Sequence, residues 1–167
     1  MDSFGSLYER WFPDVYCFLY KMTGYEKHLA EELCQETFFR AYLAIHRFRG
    51  ECHIRTWLFG IAKNVYFTYL RKKKNAFLIE HTDIREGSLG AIDELAAQRE
   101  LIRSAVSIIG GFRKNMAEVM LLRLIGEIPY AQIGAKLKIS EGSAKVIFCR
   151  GKALLKERLK EEYGYEI

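Results

Sequence analysis

The stretch "HLAEELCQETFFRAYLAIHRF", from His28 to Phe48, constrains the fold more than any other. Its apolar and small residues Ala30, Leu33, Cys34, Thr37, Phe38, Ala41, Tyr42 and Ile45 step alternately by three and by one. That spacing predicts a helix with one buried stripe. Glu31, Glu32, Gln35, Glu36 and Arg40 then fall on its other faces. A one-sided helix of this length has to find other helices to cover its stripe. Leu7–Met22 is apolar and aromatic enough to be one of them, with Pro13 an irregularity near its first turns. Only two prolines interrupt 167 residues, half of them hydrophobic, so long helices and real cores are both available. The expectation is an all-α protein.

A loop, Arg47–His53, breaks the period at Gly50 and leads into "RTWLFGIAKNVYFTYLRKKK". At 100° per residue, Ile54, Leu58, Ile61, Ala62, Val65 and Tyr69 gather on a core side. Trp57, Asn64, Thr68 and Arg71 flank it. Thr56, Phe59, Lys63 and Phe67 lie further round, away from the expected core. From Arg47 to Lys74 there are eight basic residues against one acid, Glu51. That local excess of +7 is larger than the +5 of the whole chain. Cations on a face attract phosphates. Aromatics among them offer stacking platforms worth ~1–3 kcal/mol per base, and an amide such as Asn64 can read base edges. Aromatics at helical spacing also serve as ordinary core, and Tyr69 is read that way. Phe59, Lys63, Asn64, Phe67, Thr68 and Arg71 through Lys74 are read as a wall for a separated strand, with Trp57 on the boundary.

After Lys74 the composition changes. "HTDIREGSLGAIDE" carries acids and glycines without a sustained period, so residues 76–93 are expected to form a flexible linker. It separates two small helical domains, 1–75 and 94–167. In the second, helices are expected from about Glu94 to Ile109, stopped by Gly110 and Gly111, and over "RKNMAEVMLLRLI". Pro129 then suits the start of "YAQIGAKL", "KIS" is a turn, and "EGSAKVIFCRGKALLKERLKEE" is a long basic helix. Pro129–Lys152 has helix-turn-helix form. Ile133 and Leu137 face inward, Ile139 plugs the turn, and Ser140 is an N-cap. Ala144, Ile147 and Phe148 pack the second helix back on the first. Ser143, Lys145, Val146, Cys149, Arg150 and Lys152 remain outside, where such a helix meets the major groove. Helix-turn-helix pairs also occur as plain packing motifs.

Other chemistries find little support. Cys17, Cys34, Cys52 and Cys149 are scattered without a CxxC pair, which suits reduced and mostly packed thiols rather than a zinc site with His28, His46 or His53. The acids of the second helix have no His or Ser partner at a useful spacing, and there is no Gly-rich phosphate loop. No enzyme activity, metal or cofactor is expected. The amino terminus lacks the apolar core of a signal peptide and no run is long enough to span a bilayer, so a cytoplasmic protein is expected.

"AEELCQETFFRAYLAIHRF" followed by "RTWLFGIAKNVYFTYLRKKK" is similar to region 2 of bacterial extracytoplasmic-function (ECF) sigma factors. "MLLRLIGEIPYAQIGAKLKISEGSAKVIFCRGKALL" resembles their region 4. The resemblance covers nearly the whole chain, in the right order. It implies a promoter-specificity subunit of RNA polymerase, with a region 2 bundle and a region 4 helix-turn-helix. It maps core polymerase binding onto Glu31, Glu32, Gln35, Glu36, Phe39 and Arg40. It maps reading and melting of the −10 element onto Asn64, Thr68 and the loop carrying Phe48, Arg49, Gly50 and Glu51. Trp57, Lys63, Phe67 and Arg71 join them as candidate single-strand contacts. The −35 element falls to Ser143, Lys145, Val146, Cys149 and Arg150. A dedicated anti-sigma factor, often membrane-anchored in this family, is a further implied partner. This chain departs from the family pattern at Thr68, at Gly110-Gly111-Phe112, at Lys138, where Gly is common, and at Val146-Ile147. The competing expectation is a dimeric helix-turn-helix regulator acting without polymerase. A third is a helical adaptor that binds another protein through its acidic helix.

Overall fold

The computed structural model describes residues 3–80 and 94–166. Among the described residues every regular element is helical. α1 spans Phe4–Met22, α2 Lys27–Ala44 and α3 Ile54–Glu80, with a 3₁₀ turn at Ile45–Arg47 after α2. α4 spans Glu94–Gly110, α5 Lys114–Leu124, α6 Tyr130–Leu137 and α7 Glu141–Tyr163.

α1, α2 and α3 pack on one another as a three-helix unit. The Ser6 N–H donates to Ser3 Oγ at 3.3 Å, which satisfies a free donor and starts α1 earlier than the apolar run suggests. Pro13 therefore sits inside α1, not near its start. It lies on the solvent side, where water can take the carbonyl that its missing N–H leaves free. α1 ends at a corner where Gly24 takes φ +70° and the Tyr25 N–H reaches back to the Tyr20 carbonyl at 2.7 Å. Val15, Phe18, Leu19 and Met22 of α1 meet Ala30, Leu33, Cys34, Phe38 and Ala41 of α2 and Leu58, Ala62 and Val65 of α3. The stripe on α2 is buried as its period predicts, except at Tyr42. That residue is exposed and its ring rests edge-on against Phe4, the first residue of α1, where the covering helix ends. α3 continues through Glu80, past the boundary expected at 75. Residues 81–93, the rest of the expected linker, lie outside the described residues.

In the second unit α7 packs along α4, α5 and α6. α6 closes on Lys138, which takes the left-handed conformation at φ 58° and ψ 41°. This lets the Ile139 N–H donate to the Gly134 carbonyl at 3.0 Å and turns the chain sharply into α7. The two units are in contact through α3 with α5 and α6, and through α1 with α4.

A side chain with a Cβ in the left-handed region costs about 1–2 kcal/mol, partly recovered as lower entropy of the unfolded chain. Lys138→Gly should therefore raise stability by about 0.5–1 kcal/mol in urea unfolding.

Candidate nucleic-acid interface

The exposed face of α7 is built from its first turn. Ser140 Oγ accepts from the Ser143 N–H at 3.0 Å and donates its own O–H to the Ser143 hydroxyl oxygen at 2.9 Å, fixing where α7 begins. Ala144 and Gly151 are then buried, and Ile147 and Phe148 are half-buried against the unit. Phe148 meets Tyr130 edge-on at 5.8 Å, and the Arg123 guanidinium lies over Tyr130. Ser143, Lys145, Val146, Cys149, Arg150 and Lys152 all face solvent. Lys145 is held loosely by Glu141 at 3.4 Å, one helical turn back. An exposed pair of this kind is worth little and releases easily to a phosphate.

The face expected on α3 is a different matter. Thr56, Phe59 and Lys63 were expected away from the core, yet all three are buried. Phe59 stacks on Phe18 with ring centres 4.4 Å apart, and the Arg55 guanidinium caps its ring. Lys63 donates to Glu118 Oε1 at 2.5 Å, and the other oxygen of Glu118 accepts from Lys136 at 2.9 Å. Phe67 is half-buried against the end of α4. The physical reason is that α3 has two covered sides. One faces α1 and α2, and the other is covered by the second unit. Helical periodicity reports one stripe and assigns the other to solvent.

The remaining candidates divide among three places. Asn64, Phe67, Arg71 and Lys74 line a cleft of about 540 Å³ between α3 and the start of α5, shared with Phe112 and Lys114. Phe48 and Trp57 lie together, ring centres 5.1 Å apart, in a second cleft beside α6. Arg49 and Glu51 line that cleft too, and Gly50 at φ +74° shapes the exposed loop. Thr68 accepts from Arg71 at 3.1 Å and opens into a groove between α2 and α3. That groove is lined by Glu32, Gln35, Glu36, Phe39 and Arg40 as well, so Thr68 sits with the acidic helix rather than with Asn64. Glu31 lies at a neighbouring groove beside Tyr16. Arg40 is fixed to Glu36 at 2.8 Å, while Phe39 is 59% exposed and is not part of the core.

Residues 7–76 match the family model for sigma-70 region 2. The chain is 33% identical to the ECF RNA polymerase sigma factor SigM of Bacillus subtilis (strain 168) over 154 residues, 92% of this chain and 93% of that relative. The chain belongs to the ECF sigma factor family. A second B. subtilis relative, SigX, is 30% identical over 96% of this sigma factor and 87% of its own length. Two solved structures share the fold at a TM-score of 0.57, each covering 95% of this chain. One is the sigma factor RpoE in complex with the anti-sigma factor NepR from Bartonella quintana, 19% identical and covered over 98% of its length. The other is CnrH in complex with the cytosolic domain of CnrY, 23% identical and covered over 88%.

Sequence reasoning missed Glu118 and Lys136 of this sigma factor. The available signal was an acid inside the apolar run "MAEVMLLRL", a place where a lone carboxylate needs a partner. Among the described residues no group of three His, Cys, Asp or Glu could hold a metal, and no helix is long and apolar enough to cross a membrane. The thiols were expected to be mostly packed. Cys34 is buried and its pKa is pushed up to about 12 by burial, but Cys17 and Cys149 are exposed.

Burial alone would raise the Glu118 carboxyl, but the charge of Lys136 and the hydrogen bond and charge of Lys63 outweigh it and leave its pKa below the ordinary 4.5. A lowered folded-state pKa contributes stability that is present above the unfolded-state value and lost as pH falls through the folded one. The wild type should therefore exceed Glu118→Gln in urea unfolding at pH 7, and the difference should shrink below about pH 4.

Proposed function

We propose that this ECF sigma factor works as a subunit of core RNA polymerase in the cytoplasm and directs initiation at promoters with −35 and −10 elements. α7 takes the −35 element as duplex, through Lys145 and Arg150 to phosphates or guanine edges and through Ser143, Val146 and Cys149 to neighbouring bases. The groove between α2 and α3, with Glu31, Glu32, Gln35, Glu36, Phe39 and Arg40, takes the largest polymerase subunit. Asn64, Phe67, Arg71 and the loop around Phe48 with Trp57 take the unpaired strand of the −10 element. Lys63 joins them once it is uncovered. Removing a base from the stack costs a few kcal/mol, which stacking, cation capture and polymerase contacts together offset. No catalytic role of its own is assigned to the chain. An anti-sigma protein that covers these same surfaces is the expected regulator.

The observation that carries this reading is the likeness to SigM along 92% of the chain, joined to two exposed surfaces and a third, partly covered one of the required chemistry. A dimeric regulator acting without polymerase is not favoured, because the likeness to sigma factors spans both units.

Run-off transcription with purified core polymerase on a genomic promoter library tests it. Specific start sites should appear only when both proteins are present. Lys145→Glu with Arg150→Glu should reduce them at least about tenfold while leaving core binding intact. Phe39→Asp should do the reverse, weakening core binding at least about tenfold without lowering thermal stability. Transcription indifferent to all three substitutions would contradict the assignment. Promoter DNA in the assembled complex should also protect Cys149 from alkylation, and leave Cys17 reactive.

A further inference from the structure

α7 buries Ala144, Gly151, Leu155 and Leu159 along one side. At about 100° per residue, Val146 stands on the opposite side, turned away from the rest of its unit. It is 48% exposed. Gly142 and Cys149 flank it on one hand, Ser143 and Arg150 on the other, and all four are exposed. Lys145 and Lys152 lie further round, at the edge of this face.

A lone exposed valine on an ordinary solvent face carries no message. This one holds the centre of the face assigned above to the −35 duplex. It comes early in the helix, where side chains reach base edges while cations at the edge hold phosphates. Its side chain has no donor and no acceptor. A base nitrogen or oxygen pressed against it would lose water and gain no partner. Thymine is the base that offers an apolar group in the major groove, its C5 methyl, and it displays an O4 acceptor alongside.

Ser143 supplies the complement to that second group. Its oxygen already receives the Ser140 proton at 2.9 Å, so its own proton is free to donate. Residues three apart are neighbours on a helix surface, which places this donor beside Val146. Gly142, one turn before Val146, keeps the approach open. A Cβ there would meet nothing nearer than Ser140 Oγ at 4.0 Å, so packing does not demand a glycine.

We propose that Val146 is a specificity-determining residue of this sigma factor: it packs on the C5 methyl of one thymine in the −35 element, with Ser143 donating to the O4 of that base. This rests on the reading of α7 as the helix that takes the −35 element.

The test uses the full chain bound to core polymerase, on a promoter that it selects in run-off transcription. Each thymine of the −35 element, on both strands, is replaced in turn by uracil, which lacks only the methyl. Competition binding by electrophoretic mobility compares the series. Wild type should lose about fourfold at one thymine, the weight of one buried methyl group. Val146→Ser should show that loss already on thymine DNA and none further on uracil. Valine and serine have similar helix propensities, so the urea midpoint should stay at the wild-type value. Ser143→Ala should weaken thymine and uracil DNA alike and keep the fourfold ratio. Uracil tolerated by wild type at every position would overturn the proposal. So would a ratio that survives Val146→Ser, a ratio lost in Ser143→Ala, or a −35 element without thymine. Lys145→Glu with Arg150→Glu separates the two levels. If this pair abolishes promoter binding while the uracil series is flat, the role of Val146 is wrong and the −35 reading of α7 stands. If the pair leaves promoter binding intact, that reading fails and the proposal with it.

Discussion

The structure turns on α5, a short helix whose middle turns are buried on every side. Ala117 through Leu122 are six consecutive buried residues. A helix turns once in 3.6 residues, so an unbroken buried run requires cover all the way round. α4, α6 and α7 supply part of that cover from the same unit, and α3 supplies the rest from the other. Glu118 comes to face α3 as a result, and α3 answers with Lys63. Phe59 is closed between Phe18 of α1 and Gly126 of the second unit, and its full burial is worth about 1.5–3 kcal/mol. The centre of the contact between the two units follows from one helix that its own unit does not finish covering, with α1 against α4 and α3 against α6 beside it.

That arrangement separates the surfaces the protein needs. The recognition face of α7 points away from the contact between the units, and so does the groove between α2 and α3 where Phe39 protrudes. Both are available in the closed chain. The face of α3 that would meet an unpaired strand is the one under cover. Duplex contact and polymerase contact can therefore precede strand capture, which is the order a promoter-opening factor requires. Most of the charges at the contact are arranged as ion pairs between the units, Glu118 with Lys63, Glu26 with Arg103 and Glu51 with Lys138. Polymerase or DNA can draw the units apart by offering partners of the same sign as Glu118, Glu26 and Glu51.

Much of the fold was legible because it is written in local signals. The stripe on α2, the Ser140 cap, the Pro129 start of α6 and the solvent face of α7 each depend on residues a few positions apart. The helical class and the helix-turn-helix needed nothing more. Phe59, Lys63 and Thr56 were misplaced because their surroundings are set by residues far along the chain. A period of 3.6 describes a helix against one neighbour, and α3 has neighbours on two sides. Tyr42 was misplaced for the opposite reason, since its position in the stripe runs past the end of the helix that would have covered it. Pro13 was read as an irregularity near the first turns of a helix, but the Ser3 cap had started that helix earlier. The division of the −10 candidates among two clefts and a groove depends on side-chain directions, which spacing alone does not carry.

Masking of α3 requires the units to be docked in the free chain and apart in the working one. The protein carries the means to measure this, because Cys17 lies exposed on α1 and Cys149 exposed on α7, one on each unit. Cys34 is buried with a raised pKa, and Cys52 can be replaced by Ser. Spin labels on Cys17 and Cys149 would give the distance between the units by pulsed electron resonance. One narrow, short distribution is expected for the free sigma factor, and a longer one after core polymerase is added. The same short distribution in the presence of polymerase would contradict the masking of α3.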